Sequence, residues 1–382
     1  VFAAGRGMTW AALSLTTLFV VSPLETERSE PRAVVIAGTG RAASDGDGGP
    51  ATAASVNNPF GVCVAPDGGV LICEVGGHRV RRVGPTTGGV PARAGSGEAG
   101  SSGDGGPAVD AKLNEPYEIV FDAAGRWLVV DMKAHCIRRV DPSTGRIERV
   151  AGTDEPGFSG DGGPAIEARL NRPHSVAVAA DGTILVCDIG NHRVRAVDPR
   201  TGVIRTLAGN GSKDRLEDGA AFLPTTALPG PRALAIAPRP ADERNGAPRP
   251  WWLALREGNA VVRVEPPQNG GTDRIVRRIA GDGRKGYRVD GGPAAGSRLA
   301  GPKGLAVLPN GDLVVADTEN HAIRLIEARS GTIRTILGRD ADGTIRGGVV
   351  LARPHGVAAE PDGSVLVGDS ENHRVLRLAP PF

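Results

Sequence analysis

Aromatic residues are scarce: Phe, Trp and Tyr make up 3% of the 382 residues. A surface of repeated stacking platforms, as single-stranded nucleic-acid binders use, is therefore poorly supplied. Charge of one sign is also missing. The 45 basic residues face 43 acidic ones, for a net charge of +2. No global field draws the chain to nucleic acid or to an anionic membrane. Lysine is nearly absent, with 5 of the 45. The four cysteines (Cys63, Cys73, Cys136, Cys187) form no CxxC and no paired Cys/His spacing, which argues against a structural zinc module. They carry no compartment signal. No apolar run approaches the roughly 20 residues of a membrane-spanning helix, so no transmembrane segment is expected. The run from Trp10 to Val21 has signal-peptide length, but only Arg6 precedes it and no small-x-small site follows. Residues 1–32 read as a leader. A secretory signal and a disordered segment are both open readings of it, and localisation stays unassigned.

Glycine and proline are abundant, at 56 and 30 residues. They are the worst helix formers, so long helices and coiled coils are excluded. No Gly-X-Y period points to collagen. A hydrophobic fraction of 40% with low net charge excludes wholesale disorder. Many short strands between turns fit best.

Internal repetition is the main signal. Gly38, Gly95, Gly152, Gly209, Gly281 and Gly338 each end a short apolar segment, at spacings of 57 residues except for one of 72. A GDGGPA-like loop follows, marked by Asp47, Asp104 and Asp161, with weaker forms at Asp218 and Asp290. Next come a proline and a strand start, at Pro59, Pro116, Pro173, Pro231, Pro302 and Pro354. Asp67-Gly68, Asp181-Gly182, Asn310-Gly311 and Asp362-Gly363 then supply hairpin turns. Each repeat reads as four strands; in the third copy these lie at 175–180, 183–188, 193–197 and 203–209. The second strand is a continuous apolar run, so both its faces must be covered. Four-stranded antiparallel units packed around an axis meet that need. The chain is expected to be all-β: a six-bladed β-propeller over 33–382, its last blade completed by the N-terminal strand 33–38. That closure removes an exposed edge.

The segments CDIGNHRVRAVD (187–198), ADTENHAIRLIE (316–327) and GDSENHRVLRL (368–378) resemble NHL repeats. The GDGGPA lead-in is similar to that of teneurin-like and bacterial NHL propellers. The resemblance covers about 350 residues. Copy four departs from it. Ala260 stands where His is expected and Arg256 where Asp is, and a Pro- and Arg-rich insertion (237–250) lengthens its first hairpin.

Five of the seven histidines, His78, His135, His192, His321 and His373, share one repeat position. Residues spread around a ring cannot form one metal site. These histidines are expected to pack and hydrogen-bond within their own blades. Asn191, Asn259, Asn320 and Asn372 read as preceding that position and capping the turn. Glu74, Asp131, Asp188, Asp317 and Asp369 end second strands, beside the starts of first strands.

The first-strand residue after the repeat proline varies: Phe60, Tyr117, His174, Arg232, Lys303 and His355. With first strands innermost, these side chains rim the channel mouth. Glu118 adds a carboxylate where other copies carry small residues. This set is the candidate ligand-binding site. The simpler alternative is packing between blades.

An enzymatic reading comes from two families of similar architecture. Peptidylglycine amidating lyase uses histidines around zinc, and gluconolactonase-like propellers use Glu, Asn and Asp around a divalent ion. Here only His174 and His355 lie outside the repeat position, in opposite blades, and a three-His zinc set is missing. Asp45 and Asp47 make DGDGGP (45–50) the best calcium candidate, yet no closing Glu follows, and an Asp capping its own turn is simpler. No cofactor is therefore assigned, with calcium and zinc as the alternatives. Some NHL propellers in tripartite-motif proteins bind RNA. Arg79, Arg81, Arg82, Arg138, Arg139, Arg193 and Arg195 cluster on third strands, but without stacking partners they read as a solvated outer strand. The expectation is a non-enzymatic scaffold that binds a protein, peptide or glycan on the face carrying the GDGG loops and the ring. The alternative is a metal-dependent, lactonase- or lyase-like hydrolase at the same mouth.

Overall fold

The computed structural model describes residues 1–3, 5, 32–84, 89–237, 249–267 and 273–382. The leader's apolar run and the core of the insertion in copy four lie outside the described residues.

Six antiparallel sheets follow one another along the chain. Blade 1 holds Pro59–Val64, Val70–Glu74, Arg79–Val83 and Ala92–Ala94. Blade 2 holds Pro116–Phe121, Trp127–Asp131, Cys136–Asp141 and Arg146–Ala151, and blade 3 Pro173–Val178, Ile184–Asp188, Arg193–Val197 and Ile204–Ala208. Blade 4 comprises Pro231–Ile236, Trp251–Leu255, Ala260–Glu265 and Ile275–Ala280. Blade 5 comprises Gly304–Val307, Leu313–Asp317, Ala322–Ile326 and Thr332–Arg339. Blade 6 takes three strands from the C-terminal end (Val357–Ala359, Val365–Asp369, Arg374–Leu378) and its outer strand, Val34–Ala37, from the other end of the chain. Val35 pairs with Leu376 in that closing ladder. The chain is a six-bladed β-propeller.

The second strands are buried along their whole length in five blades. This is the coverage that their unbroken apolar runs demand. The core is correspondingly divided into six clusters, one between each pair of neighbouring blades. Leu366 and Val375 of blade 6 pack on Val62 and Ile72 of blade 1, and Leu185 and Val194 of blade 3 on Leu234 and Leu253 of blade 4.

The repeat glycines end fourth strands where the backbone turns left-handed. Gly152 has φ of +93°, and a Cβ there would lie 2.2 Å from the carbonyl oxygen of His135 in the same blade. No larger residue fits such a place without backbone movement.

The GDGG loops are not beside the ring. Each runs along the outer strand of the blade it introduces. Gly105 N–H donates to the Ile147 carbonyl and Ile147 N–H to that of Gly106; Gly162 and Ile204 make the same contact in blade 3. Gly291 donates to Ile333 in blade 5. The loops thus form a clasp on the perimeter that covers edge strands. In radius the loops lie outside the ring, at the outer edge of their blades.

Their aspartates do not cap their own turns either. Asp47, Asp104 and Asp161 accept ion pairs from Arg81, Arg138 and Arg195 at 2.7, 2.8 and 2.7 Å. The same arginines reach the second-strand carboxylates of Glu74, Asp131 and Asp188 at 3.1, 3.5 and 3.7 Å. Arg324 repeats the arrangement with Asp290 and Asp317. These four arginines are the largest fully buried side chains among the described residues. The reading of Arg81, Arg138 and Arg195 as a solvated strand is therefore overturned: each is the buried bolt between a perimeter loop and a blade.

Candidate functional site

All six blades deliver the residue after the repeat position's proline to one place on the axis. The side chains meet there. Phe60 stacks on His355 with ring centroids 3.7 Å apart, and Tyr117 stands edge-on to Phe60 at 4.7 Å and to His174 at 4.5 Å. The Arg232 guanidinium lies 4.3 Å from the centre of the Tyr117 ring and donates to its hydroxyl. Lys303 Nζ sits 3.3 Å from His355 Nε2. The ring is a plug of touching side chains across the channel. It is thus both of the things the sequence allowed, a packing layer and the floor of a cavity.

Above the plug lies a basin of about 1130 Å³. Its floor is Phe60, Tyr117, His174, Arg232, Lys303 and His355, and its wall includes Lys133, Arg172, Arg256 and Arg353 with Glu115, Glu257 and Glu371. Below the plug, a second cavity of about 360 Å³ opens among first-strand residues such as Val62, Phe121, Leu305 and Val307. Glu118 lines this lower cavity and not the basin. The structure thus separates Glu118 from the other six candidates. Glu118 stands one residue further along the first strand, beyond the level of the plug, and faces Ser175 of blade 3. Its Oε1 accepts from Ser175 Oγ at 2.9 Å, and Ser175 in turn accepts from the Leu234 N–H. Burial pushes the Glu118 carboxyl up to about 8.

Burial also sets the protonation of the plug. It drives the His174 imidazole down to about 3. Burial and the neighbouring Lys303 and Arg232 cations hold His355 well below its usual range. Burial, then Arg232, brings Lys303 to about 8. Glu319 behaves oppositely: burial alone would raise it, but hydrogen bonds from Lys303 and Arg353 outweigh that and hold it at about 2. Both ring histidines point Nδ1 at a carbonyl, His174 at Arg172 (2.7 Å) and His355 at Arg353 (2.8 Å). Nδ1 is therefore the protonated nitrogen in each.

The repeat histidines make a different contact from the one expected. Each sits in the left-handed region, with φ between 49° and 55°, and its Nδ1 accepts from a backbone N–H of the next blade. His135 takes the Arg172 N–H at 3.0 Å, His192 that of Gly230 at 3.1 Å, and His321 that of Arg353 at 3.1 Å. His373 closes the circle onto Asn58 of blade 1 at 3.1 Å. They latch neighbouring blades together. In blade 4 the His position is held by Asn259 and not Ala260: Asn259 has φ of 44°, precedes the third strand, and accepts from Gly301 N–H at 3.1 Å. The Asp position is Leu255, which pairs with Ala260 as Asp188 pairs with Arg193. The repeat position in copy four thus falls one residue earlier than the sequence pattern suggests. The asparagines of the other copies do more than cap: Asn191 and Asn320 donate both to the second-strand aspartate and to a carbonyl of the incoming loop.

Sequence reasoning missed Arg353, Arg172 and Glu371 as basin residues, and Glu319 as the partner of Lys303 and Arg353. Arg172 and Arg353 had a signal. They lie two places before a ring residue, at the position whose N–H the latch takes, where blades 4 and 5 use Gly230 and Gly301.

The NHL repeat family model matches residues 299–324 and 351–378, and the teneurin NHL domain model matches 151–198. NHL repeat-containing protein 2 of Gallus gallus is 25% identical over 288 residues, covering 69% of this chain and 38% of that protein. The chain thus spans well under half of that relative's length. Among solved structures, an auxiliary nutrient binding protein from Bacteroides ovatus aligns with a TM-score of 0.63 at 16% identity, over 92% of this chain and 78% of that one. A gluconolactonase from Xanthomonas campestris aligns with a TM-score of 0.55 at 15% identity, over 86% and 87%. Both share the fold. The matched segments fall in blades 3, 5 and 6 and the loop leading into blade 3: this six-bladed β-propeller carries NHL repeats.

Proposed function

We propose that the chain is a binding module that takes a protein, peptide or glycan partner in the basin on the ring face, without chemistry of its own. The observation that carries this reading is the plug. Its side chains are engaged with one another, so the basin floor is a packed, mixed polar and aromatic surface. His355 Nε2, the lone pair a metal would need, already faces Lys303. A concave floor ringed by charges of both signs suits recognition. The lactonase-like alternative rests on likeness of fold, and fold does not specify chemistry.

The test uses one doubly substituted basin variant and a perimeter control. Lys133→Glu with Arg172→Glu reverses charge at the exposed basin wall, and Arg205→Glu does so on the exposed perimeter of blade 3. A partner held by the wild type and by the perimeter variant should be lost by the basin variant. Equal retention by all three would place recognition elsewhere. Thermal shift with calcium and zinc, together with lactone turnover, checks the alternative; a metal-dependent turnover would replace the binding reading.

A further inference from the structure

Arg232 is unlike every other buried arginine among the described residues. It is 2% exposed. Its Nη2 donates to the Tyr117 hydroxyl, while Nε and Nη1 have no partner. Arg81, Arg138, Arg195 and Arg324 each have a carboxylate on both sides; Arg232 has none within ion-pair distance. A buried charge without a counter-charge is strongly destabilising. The neighbouring cations are matched: Lys303 with Glu319, Arg353 with Glu371, and Arg256 with Glu257. What is left over at the basin floor is one positive charge with free donors.

We propose that Arg232 anchors a carboxylate supplied by the ligand, and that the ligand is a peptide segment bearing an acidic side chain. This rests on the basin being the binding face. At the buried floor the single unmatched charge favours a monoanion over a doubly charged phosphate; Arg172 and Lys213 also lack an ion pair, but they lie exposed on the wall, where water screens them. The planar guanidinium fork matches a carboxylate. A sugar ring would need an open aromatic face, but Phe60 is covered by His355, and Tyr117 by Arg232.

The experiment follows the Arg232 Nε–H signal in the full chain by nitrogen-15 NMR, assigned with Arg232→Lys. The probes are acetyl-Gly-Glu-Gly-amide, its Gln counterpart, galacturonate and inorganic phosphate. The Glu peptide should shift the signal saturably, and the Gln peptide should bind at least about tenfold more weakly, as loss of a charge-assisted contact implies. Tighter binding of galacturonate would overturn the peptide assignment, and tighter binding of phosphate the monoanion. No shift with any probe would overturn the site. Arg232→Met should abolish Glu-peptide binding and raise the Tm of the free protein, because it removes the unpaired charge. A lower Tm with binding intact would make Arg232 purely structural. The two readings fail separately. A natural partner retained by Arg232→Met but lost by the basin-wall variant sinks only the carboxylate anchor; one indifferent to the wall variant sinks the binding face.

Discussion

At the residue scale, burial decides what each ionisable group contributes. The second-strand carboxylates face arginines, yet burial outweighs the pairing and raises Asp131 to about 7 and Asp188 to about 6. Such bolts give position more than stability. Blade 4 performs the natural control: Leu255 and Val262 replace both members, and the pair is simply an apolar contact. Asp188→Ala should therefore cost about 3–5 kcal/mol, by leaving buried Arg195 with Asp161 alone and the Asn171 N–H and Asn191 amide without their acceptor, whereas Asp188→Leu with Arg195→Val should cost less; urea unfolding of both variants checks this. Glu118 gives a pH test. Its folded pKa is raised, so the folded chain holds the proton more tightly than the unfolded one. The resulting stability is fully present below about 4.5 and is lost as pH rises through about 8. Glu118→Gln keeps the Ser175 contact without the charge. Its Tm should fall less than that of the wild type over this window, ending a few degrees higher at alkaline pH. A parallel decline in both proteins would show that Glu118 does not titrate there. The repeated identity of these residues was legible; their pairing was not, because Arg81 and Asp47 are far apart in sequence and meet only when the loop clasps the blade.

At the element scale, the turn between second and third strands is the joint of the molecule. The left-handed residue there presents one acceptor to the next blade. Imidazole does this in five blades and the Asn259 amide in blade 4. Asn also tolerates the left-handed region. His321→Asn should therefore change stability by less than about 0.5 kcal/mol. His321→Ala, which removes the acceptor of the Arg353 N–H at an exposed joint, should cost about 0.5–1.5 kcal/mol, the net worth of one hydrogen bond. Chemical denaturation distinguishes them, and equal losses would show that the ring and not the acceptor matters. The periodic histidine marked a structural role from sequence. Its reach into the neighbouring blade was hidden, since a repeat pattern contains no information on which side of a blade a side chain leaves.

At the scale of the whole molecule, stability depends on closure. Each of the six core clusters lies between two blades, so no blade buries its apolar faces alone. The cluster between blades 6 and 1 includes Ala37 of the closing strand. Deleting residues 1–38 should remove that strand, expose an edge on Arg374–Leu378, and give a broader, lower thermal transition with concentration-dependent association on a sizing column. An unchanged, monomeric transition would show that the three-stranded blade suffices.

Spacing along the chain determined the number of blades, the four strands in each and the borrowed closing strand. Periodic glycines, prolines and apolar runs are local constraints, and they act wherever the backbone must turn or be covered. The site was decided by the tertiary structure. Six residues at one repeat position were visible as a ring, but only the close approach of first strands at the axis made them a plug. Glu118, one residue further along its strand, lies on the other side of it. Matching of the surrounding cations left Arg232 unpaired, and that depends on distances between blades, which no single repeat contains.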